Sequence, residues 1–388
     1  MENNDWRNGD AHRELPFKPL WIADLQDDDR AGVAAASDRV DAASDAERVA
    51  LEYRAAADAG IHCVREAVGW RQVERAGGFD FAKVLARAEM ARRHGIAIAW
   101  TLCRGDWPDD VDVLSTEFVE RVRSYADATA RALHAYASAV PPVYAPFEEI
   151  AFLAYCVAET GLLNPWQRDR QSRGDDVQRQ LVKAAIAVCD AIAAVDPRTR
   201  FLHVETMPRV RPAEQHGAAA AWRTFDLLSG RADGARGHPR YLDVIGVNCH
   251  ASRETAARTL VPLPGVRGAR RRVPVAQALA AIADRYGRPI VVGEHSPAGV
   301  NRAAWLSEIG DGVREAQHAG VSVVGVCLRP GRDRPLWRDP LRWQAFGLWD
   351  RVLAPSAAAP ADRGYAKSLA MMRARVQDVR APSGRNAP

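Results

Sequence analysis

Two glutamates stand where strand-like runs give out. Glu149 follows the apolar run VYAPF (143–147), and Glu294 follows IVVG (290–293). Two carboxyl groups facing one bond can divide the work of breaking it. A protonated one supplies the proton, and an ionised one acts as nucleophile or base. Where such a pair cleaves a glycosidic bond by double displacement, the carboxyls sit ~5–5.5 Å apart. A neighbouring carboxylate and partial burial raise one pKa and so separate the two roles.

Other polar residues gather at the ends of similar runs. These are Arg65 and Glu66; Cys103, Arg104, Asp106 and Trp107; Glu148; His203 and Glu205; Asn248 and His250; His295; and Arg329. A charge there must be solvated or paired, because an isolated buried charge is costly. Together they predict a polar, charged pocket. Glu148, Glu149, Glu205, His250, Glu294 and His295 are also metal-capable types, but no HxxxH or HExxH spacing accompanies them. No cofactor is expected. Trp107 and Trp337 fall in loops after such runs and are the better candidates for stacking on a sugar ring. Trp21, Trp70, Trp100, Trp343 and Trp349 read as core, the commoner place for an indole.

The elements that must position these residues alternate. Strand-like runs begin at Leu20, Ile61, Ile96, Val143, Arg200, Tyr241, Ile290 and Val321, apolar on both faces as parallel strands covered by helices require. Helical patterns fill the gaps at 46–59, 81–94, 116–137, 177–195, 276–286 and 305–319. Gly60, Gly95, Gly287 and Gly320 close four of them, the signal of a helix turning back into a strand. Eight strands alternating with helices fit a closed barrel or an open doubly wound sheet. No GxGxxG follows the first run and no GxxxxGK[ST] occurs, which disfavours the open nucleotide-binding sheet. The expected fold is α/β, a single (β/α)8 TIM barrel over residues 17–380. A polar arm (1–16) precedes it, and a small, polar tail expected to be disordered (381–388) follows. The connection from Ser252 to Val275 is long, and long loops after barrel strands lie at the catalytic face.

The chain has 388 residues, 47% of them hydrophobic, and a formal net charge of +4. That is ample for a large core, and it lacks the concentrated basic stripe of a nucleic-acid binder. The basic run RGARRR (267–272) sits among glycine and proline and reads as a solvated loop, as does Asp27-Asp28-Asp29. The six cysteines form no CxxC pair and lie mostly in apolar runs, as buried free thiols of a reducing compartment do. The polar N-terminus has no signal-peptide core, and no run approaches the ~20 apolar residues of a membrane span. A soluble cytoplasmic protein is expected, with neither nucleic acid nor membrane as partner.

The chain resembles the clan A retaining glycoside hydrolases, and is most similar to bacterial proteins related to the family 1 β-glucosidases. The resemblance runs from about Gly60 to Asp350. It is carried by GIHCVREAVGW (60–70), GGFDF (77–81), LCRGDWPDDVDVLS (102–115) and PFEEIAFLAYCVAETGLLNP (146–165). It continues in VDPRTRFLHVE (195–205), HPRYLDVIGVN (238–248), YGRPIVVGEHS (286–296), GVCLRPGRDRPLW (325–337) and GLWD (347–350). It implies a (β/α)8 barrel with the acid/base at Glu149 on the fourth strand and the nucleophile at Glu294 on the seventh. Arg65 matches the arginine that supports the nucleophile.

The departures are concentrated in the sugar-binding shell. Glu148 stands where the family has an asparagine contacting the sugar 2-hydroxyl, and Arg104 where it has a histidine. His250 replaces a tyrosine, His295-Ser296 a Thr-Gly, and Arg329 an aromatic. Two accounts of the new arginines are open. They could bind an anionic group on the substrate, since guanidinium pairs bidentately with carboxylate or phosphate, or Arg104 and Glu148 could neutralise each other. The expectation is a glycosidase-like enzyme with a glycoside or other small-molecule substrate that is unusual, anionic or a secondary metabolite. The alternatives are a repurposed barrel with non-glycosidic, metal-assisted chemistry, and a non-catalytic sugar-binding protein.

Overall fold

A computed structural model describes residues 21–26, 42–136, 140–160, 163, 173–208, 216–250, 273–295, 302–329, 331, 334–336, 339–344, 347 and 363–377. The terminal arm and tail, the Asp27–Asp29 run, Trp337, Trp349 and nearly all of the connection after the sixth strand lie outside the described residues.

Eight strands form one closed, all-parallel barrel. They are β1 (Trp21–Asp24), β2 (Cys63–Ala67), β3 (Ala97–Cys103), β4 (Val143–Phe147), β5 (Arg200–Thr206), β6 (Val244–His250), β7 (Ile290–His295) and β8 (Val323–Arg329). Each pairs with its sequence neighbours. The pairing of Ile22 with both Cys63 and Cys327 closes the cylinder between β1, β2 and β8.

Helices follow the strands. In chain order they are α1 (Ala42–Asp58), α2 (Ala82–Arg93), α3 (Glu117–His134), α4 (Ile150–Tyr155), α5 (Gly174–Val195), α6 (His216–Ser229), α7 (Val275–Tyr286), α8 (Arg302–His318) and α9 (Arg363–Gln377). Gly287 shows how a helix yields to a strand. It sits at φ 62° and ψ 30°, and its N–H donates to Ala283 O at 2.7 Å. Only glycine takes that left-handed turn without a Cβ penalty.

Alternation along the strands sorts side chains into two layers. The barrel interior holds Ile22, Cys63, Ala99, Val143, Ala145, Leu202, Val204, Val244, Val291 and Cys327. The opposite faces pack on the helices in two larger apolar clusters. All six cysteines are buried free thiols. Along four of the strands, continuing the inward phase past a core residue reaches the mouth at the C-terminal end of the barrel. Ile22 leads to Asp24, Cys63 to Arg65, Val204 to Thr206, and Val244 through Gly246 to Asn248 and His250. The charged site is thus an extension of the inward rows of the barrel.

Candidate active site

Glu149 is the junction between strand and helix. Its backbone N–H donates to Val204 O at 2.8 Å, continuing the pairing of β4 with β5. Its φ of 55° and ψ of 61° are left-handed, uncommon for a residue with a Cβ. Counted on from inward Val143 and Ala145, strict alternation gives the inward phase to Glu149, and Glu148 is the residue that leaves its phase to face the mouth. Glu149, in its left-handed turn, faces the mouth as well. There its Oε1 accepts a hydrogen bond from Thr206 Oγ1 at 2.7 Å and lies 3.2 Å from His250 Nε2. Left-handed strain of this kind costs on the order of 1–3 kcal/mol and clusters at functional sites.

Glu148 sits beside it, buried in a cage of nitrogens. Arg104 Nε lies 3.2 Å from its Oε2, with Gln26 Nε2 at 3.5 Å and Arg65 Nη2 at 3.6 Å. On the other oxygen, Arg329 Nη1 forms an ion pair and Asn248 Nδ2 donates at 3.4 Å. Asp24 completes the network, 3.3 Å from Arg329 Nε and 3.8 Å from Arg65 Nη1. Arg65 Nη2 also donates to Thr101 Oγ1 at 3.0 Å. Three guanidiniums thus meet two carboxylates. Removing a single partner from such a buried set leaves an uncompensated charge.

Small residues make room for this network. A Cβ on Gly293 would overlap Asn248 Oδ1, and one on Gly105 would press on Leu163 and Leu153. Gly105 has φ +90° and follows Arg104 directly. The cavity at the mouth is lined by charged Arg104, Glu148, Glu149 and Arg329 and by apolar Phe152, Leu153 and Leu163.

Glu294 occupies the C-terminal end of β7. Its Cα is in register with Cys249 and Leu328, and that of His295 with His250 and Arg329. The side chains of Glu294 and His295 lie outside the described residues.

Several sequence expectations are corrected. Trp107 is no stacking platform. It is fully buried and meets Phe118 edge-on in the helix-side core. The loop that carries it is pinned by Asp106, which accepts from Arg104 N at 2.7 Å and from Trp70 N at 3.1 Å. Glu66, His203 and Glu205 face the helix layer, out of phase with the mouth. Glu66 accepts from Tyr53 and Arg87, both at 2.9 Å. His203 Nε2 lies 3.9 Å from Cys189 Sγ, and burial pushes its pKa down to about 4. Asp24, Gln26, Thr101 and Thr206 join the site without having stood out in the sequence. Asp24 closes the run LWIAD two residues after Ile22, so its inward phase was available. Among the described residues, no group of three His, Cys, Asp or Glu is gathered as a metal centre requires.

No protein-family model and no curated protein matches the sequence. Solved structures do match. A β-glycosidase from Pyrococcus horikoshii superposes with a TM-score of 0.66 at 14% identity, over 95% of this chain and 98% of that one.

The barrel has the same fold as that β-glycosidase.

A β-glucosidase from Thermotoga maritima, in complex with azafagomine, agrees with a TM-score of 0.67 at 13% identity, over 92% of this chain and 99% of its own. The β-glycosidase BGL167 gives 0.65 at 16%, over 97% and 99%. A family 1 β-glucosidase from Thermotoga maritima also superposes, with a TM-score of 0.64 at 14% identity, over 93% of this chain and 99% of its own. The β-glycosidase fold therefore extends over nearly the whole chain, at a sequence identity that leaves the chemistry to be argued from the site.

Proposed function

We propose that the protein is a retaining glycoside hydrolase in which Glu149 is the acid/base and Glu294 the nucleophile. One observation carries the reading. Glu149, in a left-handed backbone conformation, presents its carboxyl to Thr206 and His250 in the barrel mouth, at the end of the sheet where β7 ends in Glu294 and His295. In this mechanism Glu149 protonates the glycosidic oxygen while Glu294 attacks the anomeric carbon. Glu149, now ionised, then takes a proton from the water that releases the sugar from Glu294. The apolar lining from Phe152, Leu153 and Leu163 lies beside Glu149, where the leaving group departs.

The pairing of the new arginines favours an uncharged sugar. Arg104 and Arg329 both reach Glu148, and Asp24 faces Arg65 and Arg329. This supports mutual neutralisation over an anion subsite. A soluble enzyme of the cytoplasm fits the chain, in which no described helix is long and apolar enough to cross a membrane.

A second reading has its own observation. Glu148 stands beside the acid/base with five nitrogens within 3.6 Å of its carboxylate. That favours a barrel repurposed away from sugars. Turnover of a panel of aryl glycosides separates the two. Hydrolysis lost in Glu294→Gln supports the glycosidase, and no hydrolysis of any member supports the repurposed barrel.

A further inference from the structure

We infer that Glu205 is a positioning residue that holds Glu149 in its left-handed conformation, by capping helix α4 from the neighbouring strand. The first amides of a helix have no partner within it, and the N-cap side chain ordinarily supplies one. Here the N-cap is Glu149, whose carboxyl is turned to Thr206 and His250 and makes no cap bond. Glu205 takes over the task. Its Oε1 accepts from Ala151 N at 3.1 Å, and the residue is only 1% exposed between β5 and the helices.

Three consecutive residues of β5 therefore fix the acid/base from three directions. The Val204 carbonyl accepts from the Glu149 amide, the Glu205 carboxyl holds the next turn, and the Thr206 hydroxyl holds the Glu149 carboxyl. Inward Val204 and Thr206 flank outward Glu205, so one strand grips both sides of the junction. Burial pushes the Glu205 carboxyl well above the usual range. The Ala151 amide opposes this, and the charge of Glu149 adds to it. A neutral carboxyl still offers its carbonyl oxygen to an amide, so the cap does not require ionisation.

The catalytic arm of the test rests on the proposed acid/base role, and a second arm does not. Aryl glycosides with a dinitrophenol leaving group need no proton, whereas alkyl glycosides do. Glu205→Leu removes the acceptor, and Glu205→Met does so with an unbranched chain should the first fail to fold. The expected result is a roughly 100-fold loss of kcat on alkyl glycosides, within the range of general acid catalysis. The dinitrophenyl substrate should stay within about threefold, and Glu205→Gln should recover most of the loss. A parallel loss on both substrates, or none, would overturn the inference. Amide exchange read by NMR needs no turnover. Exchange at Ile150 and Ala151 should quicken at least tenfold in Glu205→Leu, with the β2 and β8 amides unchanged. Unaltered exchange, or an increase across the whole barrel, would also overturn it. A wild-type protein that hydrolyses nothing would sink the proposed function alone, and the exchange arm would still decide on Glu205.

Discussion

Glu148 and Arg329, at the ends of β4 and β8, meet across the mouth of the barrel as a buried ion pair. Neither strand touches the other in the sheet, so the pair ties distant parts of the cylinder together. With Arg65, Arg104, Asp24 and Asn248, it also links strands β1, β2 and β6 and the loop after β3.

Removing Glu148 should therefore be felt in stability. Glu148→Ala removes the buried carboxylate that Arg65, Arg104 and Arg329 share, and breaking such a set costs about 3–5 kcal/mol. Urea unfolding of the purified variant should show a midpoint shift of that size. A loss under about 1 kcal/mol would mean that solvent already screens the network.

Thr206 should matter to turnover far more than to folding. Its hydroxyl donates to Glu149 Oε1 at 2.7 Å. A hydrogen bond to a charged group contributes about 1.5–3 kcal/mol. Thr206→Val keeps the shape, and should lower kcat/KM by roughly tenfold or more while leaving the unfolding midpoint near that of the wild type. An unchanged kcat/KM would detach Thr206 from the acid/base.

Helix α1, packed on the outer face of β2, predicts a pH dependence of stability unconnected with the site. Glu52 is buried, and that burial pushes its pKa up to about 7, against the opposing charge of Arg48 and with the charge of Glu66 adding to the rise. Folding therefore favours its protonated form. The contribution is fully present below the unfolded value of 4.5 and is lost as pH rises toward 7. A shift of that size corresponds to about 3 kcal/mol. Glu52→Gln should flatten the fall in unfolding free energy between pH 4.5 and 7. An unaltered slope would assign the dependence to another group.

Gly293 is the space that Asn248 uses. A Cβ there overlaps Asn248 Oδ1, and neighbouring backbone leaves little room for retreat. Gly293→Ala should cost about 1–3 kcal/mol by overpacking and should displace Asn248 from Glu148. Comparing Gly293→Ala with the double variant carrying Asn248→Ala checks this. Most of the loss should disappear in the double variant, and purely additive losses would refute the steric account.

The barrel was legible in the sequence because fully covered parallel strands must be apolar on both faces, and glycines mark where helices turn back. Glu148 and Arg104 were legible as a candidate neutralising pair because both fall at strand ends. Phase was harder to read. Glu66, His203 and Glu205 follow apolar runs just as Arg65 does, yet one residue of offset sends them to the helix layer. Trp107 looked available in its loop, but Asp106 folds that loop back onto the core. The cap of α4 by Glu205 joins residues more than fifty positions apart, and no local pattern announces it. Helix α6 lies in an Ala-rich stretch (GAAAAW) whose weak periodicity gave no sign of it.

Glu149 and Glu294 are proposed to act on one glycosidic bond. The direct measurement is mass mapping of the protein after reaction with a 2,4-dinitrophenyl 2-deoxy-2-fluoroglycoside, whose glycosyl-enzyme forms readily and breaks down slowly. One added fluoroglycosyl unit is expected on the peptide that carries Glu294, with none in Glu294→Gln. Label on a different residue, or an unlabelled protein that still hydrolyses the parent glycoside, would contradict that proposal.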